Sequence, residues 1–231
     1  MFERIIQWDK ELLIALNGSS SVFLDGVMMT ITQTSTWIPL FVCLLYAVVR
    51  NNKWRVSLLI IALTVLLVTL SDQFASSFCK PFFHRLRPSH NYHLIGVLDI
   101  VNHYRCDLYG FISSHASNTF GVTTFFILLF RSRNVSLLLI FWACLASYSR
   151  IYLGVHYPLD IAAGTLWGIL CGMMIYGLYR WLSNRYCPTV HANSSIYTPT
   201  GYRFTDLLPI YVVFPVIFVY IIIKASLFVA I

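Results

Sequence analysis

Three short stretches carry residues suited to handling an anion. They are Lys80-Pro81-Phe82-Phe83-His84-Arg85-Leu86-Arg87-Pro88, Ser113-Ser114-His115, and a longer run from Ser149 through Arg150, Gly154, His156 and Pro158 to Asp160. Lys80, Arg87 and Arg150 supply three cations, two of them with the planar fork that matches phosphate. Asp160 follows His156 by four residues. A carboxylate that fixes one imidazole nitrogen leaves the other free to attack or to move a proton. Ser113 offers a hydroxyl donor. Ser114 and His115 stand where an apolar helix begins, so their backbone N–H groups point towards an anion. This set suits phosphoryl transfer, which needs positioning and charge stabilisation on the equatorial oxygens. Residue chemistry alone leaves open whether His115 or His156 attacks. Snorkelling at a helix end accounts for Lys80 or His156 singly. It does not account for three cations, two histidines and a carboxylate together.

The elements that must hold these residues are membrane helices. The chain has 231 residues, 58% hydrophobic and 11% charged, with a mean hydropathy of +0.72. A soluble domain averages about 25% charged residues. An all-α polytopic membrane protein is therefore expected, one domain over 1–231 with its motif core at 80–160. A span needs about 20 apolar residues, and such runs lie near 23–49, 56–79, 114–131, 135–153, 159–181 and 206–230. The fold expected is a six-helix transmembrane bundle. The first run is polar over Asp25, Thr30, Thr32, Gln33, Thr34, Ser35 and Thr36, which suits the bundle interior. Residues 1–18 read as a short amphipathic helix, lying on the membrane or packed as a cap on the bundle, and not as a cleavable signal peptide. Gly154 reads as a helix stop and Pro158 as a helix start, which leaves His156 in a tight turn.

Charge sets the topology. Arg50, Lys53, Arg55, Arg131, Arg133, Arg180, Arg185 and Arg203 follow the first, third and fifth spans. Arg4, Lys10, Arg85 and Arg105 lie opposite, once the candidate site cations are set aside. Positive-inside counting puts the motif side outside the cytoplasm, which is the periplasm if the chain is bacterial. All three motifs then share one membrane face. The net charge of +7 belongs to loops and site, so no nucleic-acid partner is expected.

Lys-x6-Arg-Pro, then Ser-x-His, then Ser-Arg-x5-His-x3-Asp, in this order, resembles the type 2 phosphatidic acid phosphatase family. The small body and the Tyr109-Gly110-Phe111-x-Ser113-Ser114-His115-Ala116 stretch are similar to bacterial envelope phosphatases of lipid A and undecaprenyl diphosphate. The resemblance implies His156 as nucleophile through a phosphohistidine, Asp160 as its orienting partner, and His115 as general acid and then base. It implies Lys80, Arg87, Ser113, Ser114 and Arg150 as the phosphate cradle. It also implies a lipid phosphate in the bilayer as substrate, with phosphatidylglycerol phosphate and phosphatidic acid among the candidates. No metal or cofactor is called for. One departure stands out: the family's Pro-Ser-Gly-His is here Ile112-Ser113-Ser114-His115, which puts a Cβ where glycine's freedom is usual.

Several residues keep two readings. Asp72 lies eight residues before Lys80 on roughly the same face, either a partner for a site cation or a structural hydrogen bond to Ser117, Asn118 or Thr119. Cys79 and Cys106 fall on the site side and are a candidate disulfide, with Cys187 left over. His84, His90, His93 and His103 share the 80–113 loop without metal-ligand spacing. Loop 89–112 is placed to select the headgroup. Phosphotransfer to a lipid or sugar acceptor would use the same site. A non-catalytic transporter or scaffold is the reading from another class, with intramembrane Asp72 in its favour. The sequence is silent on oligomeric state.

Overall fold

The computed structural model describes residues 2–94, 96–186 and 195–229. Eight helices occur among them: α1 Phe2–Leu16, α2 Val22–Ile31, α3 Ile38–Asn51, α4 Trp54–Phe83, α5 Ser114–Phe130, α6 Arg133–Tyr152, α7 Pro158–Tyr186 and α8 Leu208–Val229. The described residues contain no strand, only isolated bridges. Cys187 lies outside the described residues.

Five helices, rather than the expected six, are long and apolar enough to cross a membrane: Thr34–Asn51, Trp54–Phe83, Arg133–Tyr152, Pro158–Asn184 and Phe204–Val229. The run at 23–49 departs from the expected span without changing the count, and a second departure removes one. The 23–49 run breaks into α2 and α3 across a 3-10 turn, Thr34–Trp37. Its threonines drive the break by competing for backbone groups. Thr36 donates to the Thr30 carbonyl at 2.7 Å, and Trp37 Nε1 donates to the Ile31 carbonyl at 2.8 Å. Thr30, Thr32 and Thr36 are buried and face the interior, Asp25 and Gln33 are half-buried, and Thr34 and Ser35 are exposed. The second departure is α5, which has only 17 residues.

α5 is the most enclosed helix, with Ala116, Phe125 and Phe130 fully buried. It meets α7 along a face of small residues at four-residue spacing. A Cβ on Gly164 would stand 2.5 Å from the Ser113 carbonyl oxygen and one on Gly172 2.7 Å from that of Gly121. One on Gly168 would collide with the Ser117 carbonyl. In a bilayer such close approach supplies the packing that lipid tails cannot. It also fixes the second motif against the third. Gly168→Leu should therefore lower stability by about 1–3 kcal/mol or more by overpacking. Thermal unfolding in detergent would check this, and an unchanged midpoint would count against the packing argument.

The N-terminal helix caps the bundle. Asp9 and Leu13 are fully buried, while Ile5, Trp8 and Ile14 are exposed. What draws α1 onto the protein is Asp9, which pairs with Arg85 and accepts the Leu159 N–H at 2.9 Å. The tryptophans divide between core and surface. Trp37 and Trp142 are core residues with ring centroids 6.0 Å apart, whereas Trp8, Trp54 and Trp181 are exposed.

Candidate active site

Each motif reaches the same end of the bundle through a recognisable local device. α4 passes through a π-helical stretch, Phe74–Cys79, immediately before Lys80. After α4, Arg87 N–H donates to the Leu108 carbonyl at 3.0 Å and Gly110 N–H to that of Arg85 at 2.9 Å. This short pairing clamps the first motif to the segment leading into the second. Ser113 then caps α5, its hydroxyl accepting from Ala116 N–H at 3.4 Å. Its own N–H donates to the Asp160 carbonyl at 3.0 Å. Ser114 opens the helix and is not among the residues with positive φ. The serine that replaces the family's glycine therefore sits without backbone strain.

α6 ends as the sequence indicates, with Gly154 at φ +67. Val155 N–H and His156 N–H both donate back to the Arg150 carbonyl, at 3.1 and 3.3 Å. α7 begins at Pro158. Asp160 in its first turn accepts the Tyr157 N–H at 3.0 Å, as in a capping box. That bond orients the carboxylate towards His156, whose Nδ1 lies 3.4 Å from Asp160 Oδ2. Arg87 Nη1 stands 2.6 Å from His156 Nε2 and donates to the Val155 carbonyl at 3.1 Å. A guanidinium can only donate. Nε2 is thus the acceptor, and Nδ1 holds the proton on the Asp160 side.

The electrostatics favour a neutral imidazole. Burial holds His156 well below its ordinary value, and the charges of Arg87, Arg150 and Lys80 push the same way against the Gly110 backbone. Arg150 is anchored through three contacts, to Thr32 Oγ1 at 2.7 Å, Tyr104 OH at 2.9 Å and Cys106 Sγ at 3.1 Å. Lys80 Nζ donates to Ser76 Oγ at 3.2 Å. Among the described residues, three buried nitrogens at this end have no partner: Arg87 Nε, Arg150 Nε and His115 Nε2. Buried polar atoms are rarely left so.

Arg85, Asp9 and Gly110 were not picked out by sequence reasoning. Arg85 Nη1 donates to Asp160 Oδ1 at 2.7 Å, and its other terminal nitrogen pairs with Asp9. Its guanidinium also lies 4.2 Å from the Tyr157 ring centroid. Asp160 is therefore held by His156 on one oxygen and by Arg85 on the other. Burial pushes the Asp9 carboxyl above the usual carboxylate range, against the hydrogen bonds from Arg85 and Leu159. A Cβ at Gly110 would lie 3.0 Å from Arg87 Cγ and 3.1 Å from Asp160 Oδ2, so any larger residue would press on both side chains.

Other candidates resolve differently. Asp72 is half-buried and makes no hydrogen bond among the described residues, though its charge acts on Lys80. The bond to Ser117 comes from the neighbouring Ser71, at 2.5 Å. Cys79 and Cys106 are both free, and Cys106 serves Arg150 instead of a disulfide. No group of three His, Cys, Asp or Glu residues placed to hold a metal occurs among the described residues.

Fold and side chains together define a polytopic helical protein with a buried cluster of cations and histidines at one end of its bundle. Residues 58–187, more than half of the chain, match the PAP2 superfamily, and the chain belongs to it. A lipid A 4'-phosphatase of Bacteroides thetaiotaomicron is 38% identical over 80% of this chain and 83% of its own length. Another of that name, from Porphyromonas gingivalis, is 34% identical over 84% and 86%. An undecaprenyl-diphosphatase of Sulfolobus acidocaldarius is 29% identical over 72% and 76%. No solved structure matches significantly.

Proposed function

We propose that this chain is a membrane lipid phosphatase that removes a phosphate from lipid A, with undecaprenyl diphosphate as the second candidate. The observation that carries the reading is the trio of unpaired buried nitrogens, Arg87 Nε, Arg150 Nε and His115 Nε2, beside His156. A phosphate group would satisfy all three. The names of the more similar relatives favour lipid A.

In this reading a phosphate monoester binds among Lys80, Arg87, Arg150, Ser113 and the Ser114 and His115 amides, and takes over the Arg87 donor from His156 Nε2. That nitrogen attacks phosphorus. The bond from phosphorus to the lipid oxygen breaks, and His115 delivers a proton to the departing oxygen. Asp160 steadies the imidazolium that forms, as the acid does in a Ser-His-Asp triad. Water then attacks the phosphohistidine and gives its proton to His115. The phosphorus–nitrogen bond breaks and phosphate leaves. The basic loops stay cytoplasmic, so the site faces the periplasm of a bacterial inner membrane. Asp72 supports the charge of Lys80. Loop 89–112 selects the headgroup.

Acid sensitivity follows from His156, which attacks only when neutral. Its value lies well below the ordinary one of about 6.5, so it stays neutral down to a correspondingly lower pH. The acid limb of kcat/KM should therefore fall below pH 6.5. Stability shifts in the same direction, since below about 6.5 the unfolded chain binds a proton that the native one excludes. A pH profile of the purified protein checks this. An acid limb at or above 6.5 set by His156 would contradict it.

The substrate is tested by phosphate release from lipid A, undecaprenyl diphosphate, phosphatidylglycerol phosphate and phosphatidic acid in detergent, with EDTA present. Release from lipid A well ahead of the others supports the assignment. Preference for undecaprenyl diphosphate moves it to the envelope carrier, and release from none removes the catalytic reading.

A further inference from the structure

A cavity of about 420 Å³ lies between α3, α4, α5 and α6, and its lining is almost entirely apolar. His115 and Asn118 of α5 line it at the end nearest the active site, and Phe126 lines it further along the same helix. Eleven helical residues separate His115 from Phe126, a length of about 16 Å. That is close to half of the roughly 30 Å hydrocarbon core, the depth of one leaflet. Leu45 on α3 and Ile61 and Val65 on α4 line the cavity and are 45%, 37% and 61% exposed, so it opens sideways between these two helices.

The chemistry of the site says what belongs there. In the proposed reaction His156 attacks from one side of the phosphorus, and the departing oxygen lies on the other side, beside His115. The cavity starts at His115. We infer that it holds one hydrocarbon chain of the leaving-group half of the lipid phosphate, drawn in from the outer leaflet between α3 and α4. The inference rests on the reading of His156 and His115 given above. Burying a chain there contributes to affinity for each methylene removed from water. Asn118 Oδ1, a buried acceptor without a partner, sits where a hydroxyl or amide N–H between phosphate and chain would meet it.

Two measurements on the full chain test this. The first is labelling with a sixteen-carbon alkyl phosphonate carrying a diazirine in its tail, followed by peptide mapping. Crosslinks on α3, α4 and α5 residues of the cavity are expected, and crosslinks confined to other helices would overturn the inference. The second compares hexadecyl and butyl phosphate as substrates of Ile61→Trp and Val65→Trp, which narrow the exposed lip. The preference for the longer chain in kcat/KM should fall at least about tenfold, and an unchanged preference would also overturn it. Labelling needs no turnover. A protein that labels in the cavity yet releases no phosphate would leave this inference standing and remove the catalytic reading alone.

Discussion

His156→Gln should abolish phosphate release, by about three orders of magnitude or more, with the protein still folded. The side chain is 1% exposed, and its two nitrogens face Arg87 and Asp160. Glutamine can occupy that volume and offer hydrogen bonds, but it cannot form the covalent intermediate. His115→Gln provides the contrast. Its loss in the first, phosphorylating step should depend on the substrate, severe for a lipid ester and much smaller for an aryl phosphate whose departing oxygen needs no proton, while hydrolysis of the intermediate is slowed with either. If both variants lost the phosphorylating step equally on both substrates, the division of roles between the two histidines would be wrong.

The second large effect is on Arg85. This arginine is the shared partner of Asp9 and Asp160, two carboxylates with no exposure. Arg85→Ala leaves both buried without a bonded cation, and breaking such a pair costs about 3–5 kcal/mol. It also frees one oxygen of Asp160 and loosens the orientation of His156, so kcat should fall about a hundredfold. Adding Asp9→Asn should return part of the stability, because one orphaned charge is gone. It should return little of kcat, because Asp160 is still loose. Thermal unfolding and kcat measured on the same three proteins separate the two effects. Equal recovery of both would mean that Arg85 acts only through the fold.

The sequence reading and the structure part company where contacts are distant in the chain. The turn from Gly154 to Asp160 was legible because every signal is local: a left-handed glycine, a proline at a helix start and a carboxylate one turn in. The inward placement of Thr30, Thr32 and Thr36 was legible because lipid cannot satisfy a run of threonines. The break into α2 and α3 was not, since it depends on which carbonyls those hydroxyls reach. Arg85 fell inside the spacer of the first motif and looked like one more topogenic charge. Asp9 looked like the polar face of a surface helix. Their bond joins residues 76 apart, and nothing local announces it. The Gly164, Gly168 and Gly172 face carries a readable period, but its partner, the Ser113 to Gly121 face, is identified only by packing. A carboxylate in an otherwise apolar docking face is the signal that could have flagged Asp9.

The central claim is that phosphate passes through His156. It is met most directly by stopping the reaction with a lipid phosphate in alkali within the first turnover and mapping the phosphorylated peptide. The account predicts an acid-labile, alkali-stable phosphate on the peptide that carries His156, lost in His156→Gln and accumulating in His115→Gln with an aryl phosphate. Phosphate on the His115 peptide, or full turnover with no phosphorylated histidine at any time, would contradict it.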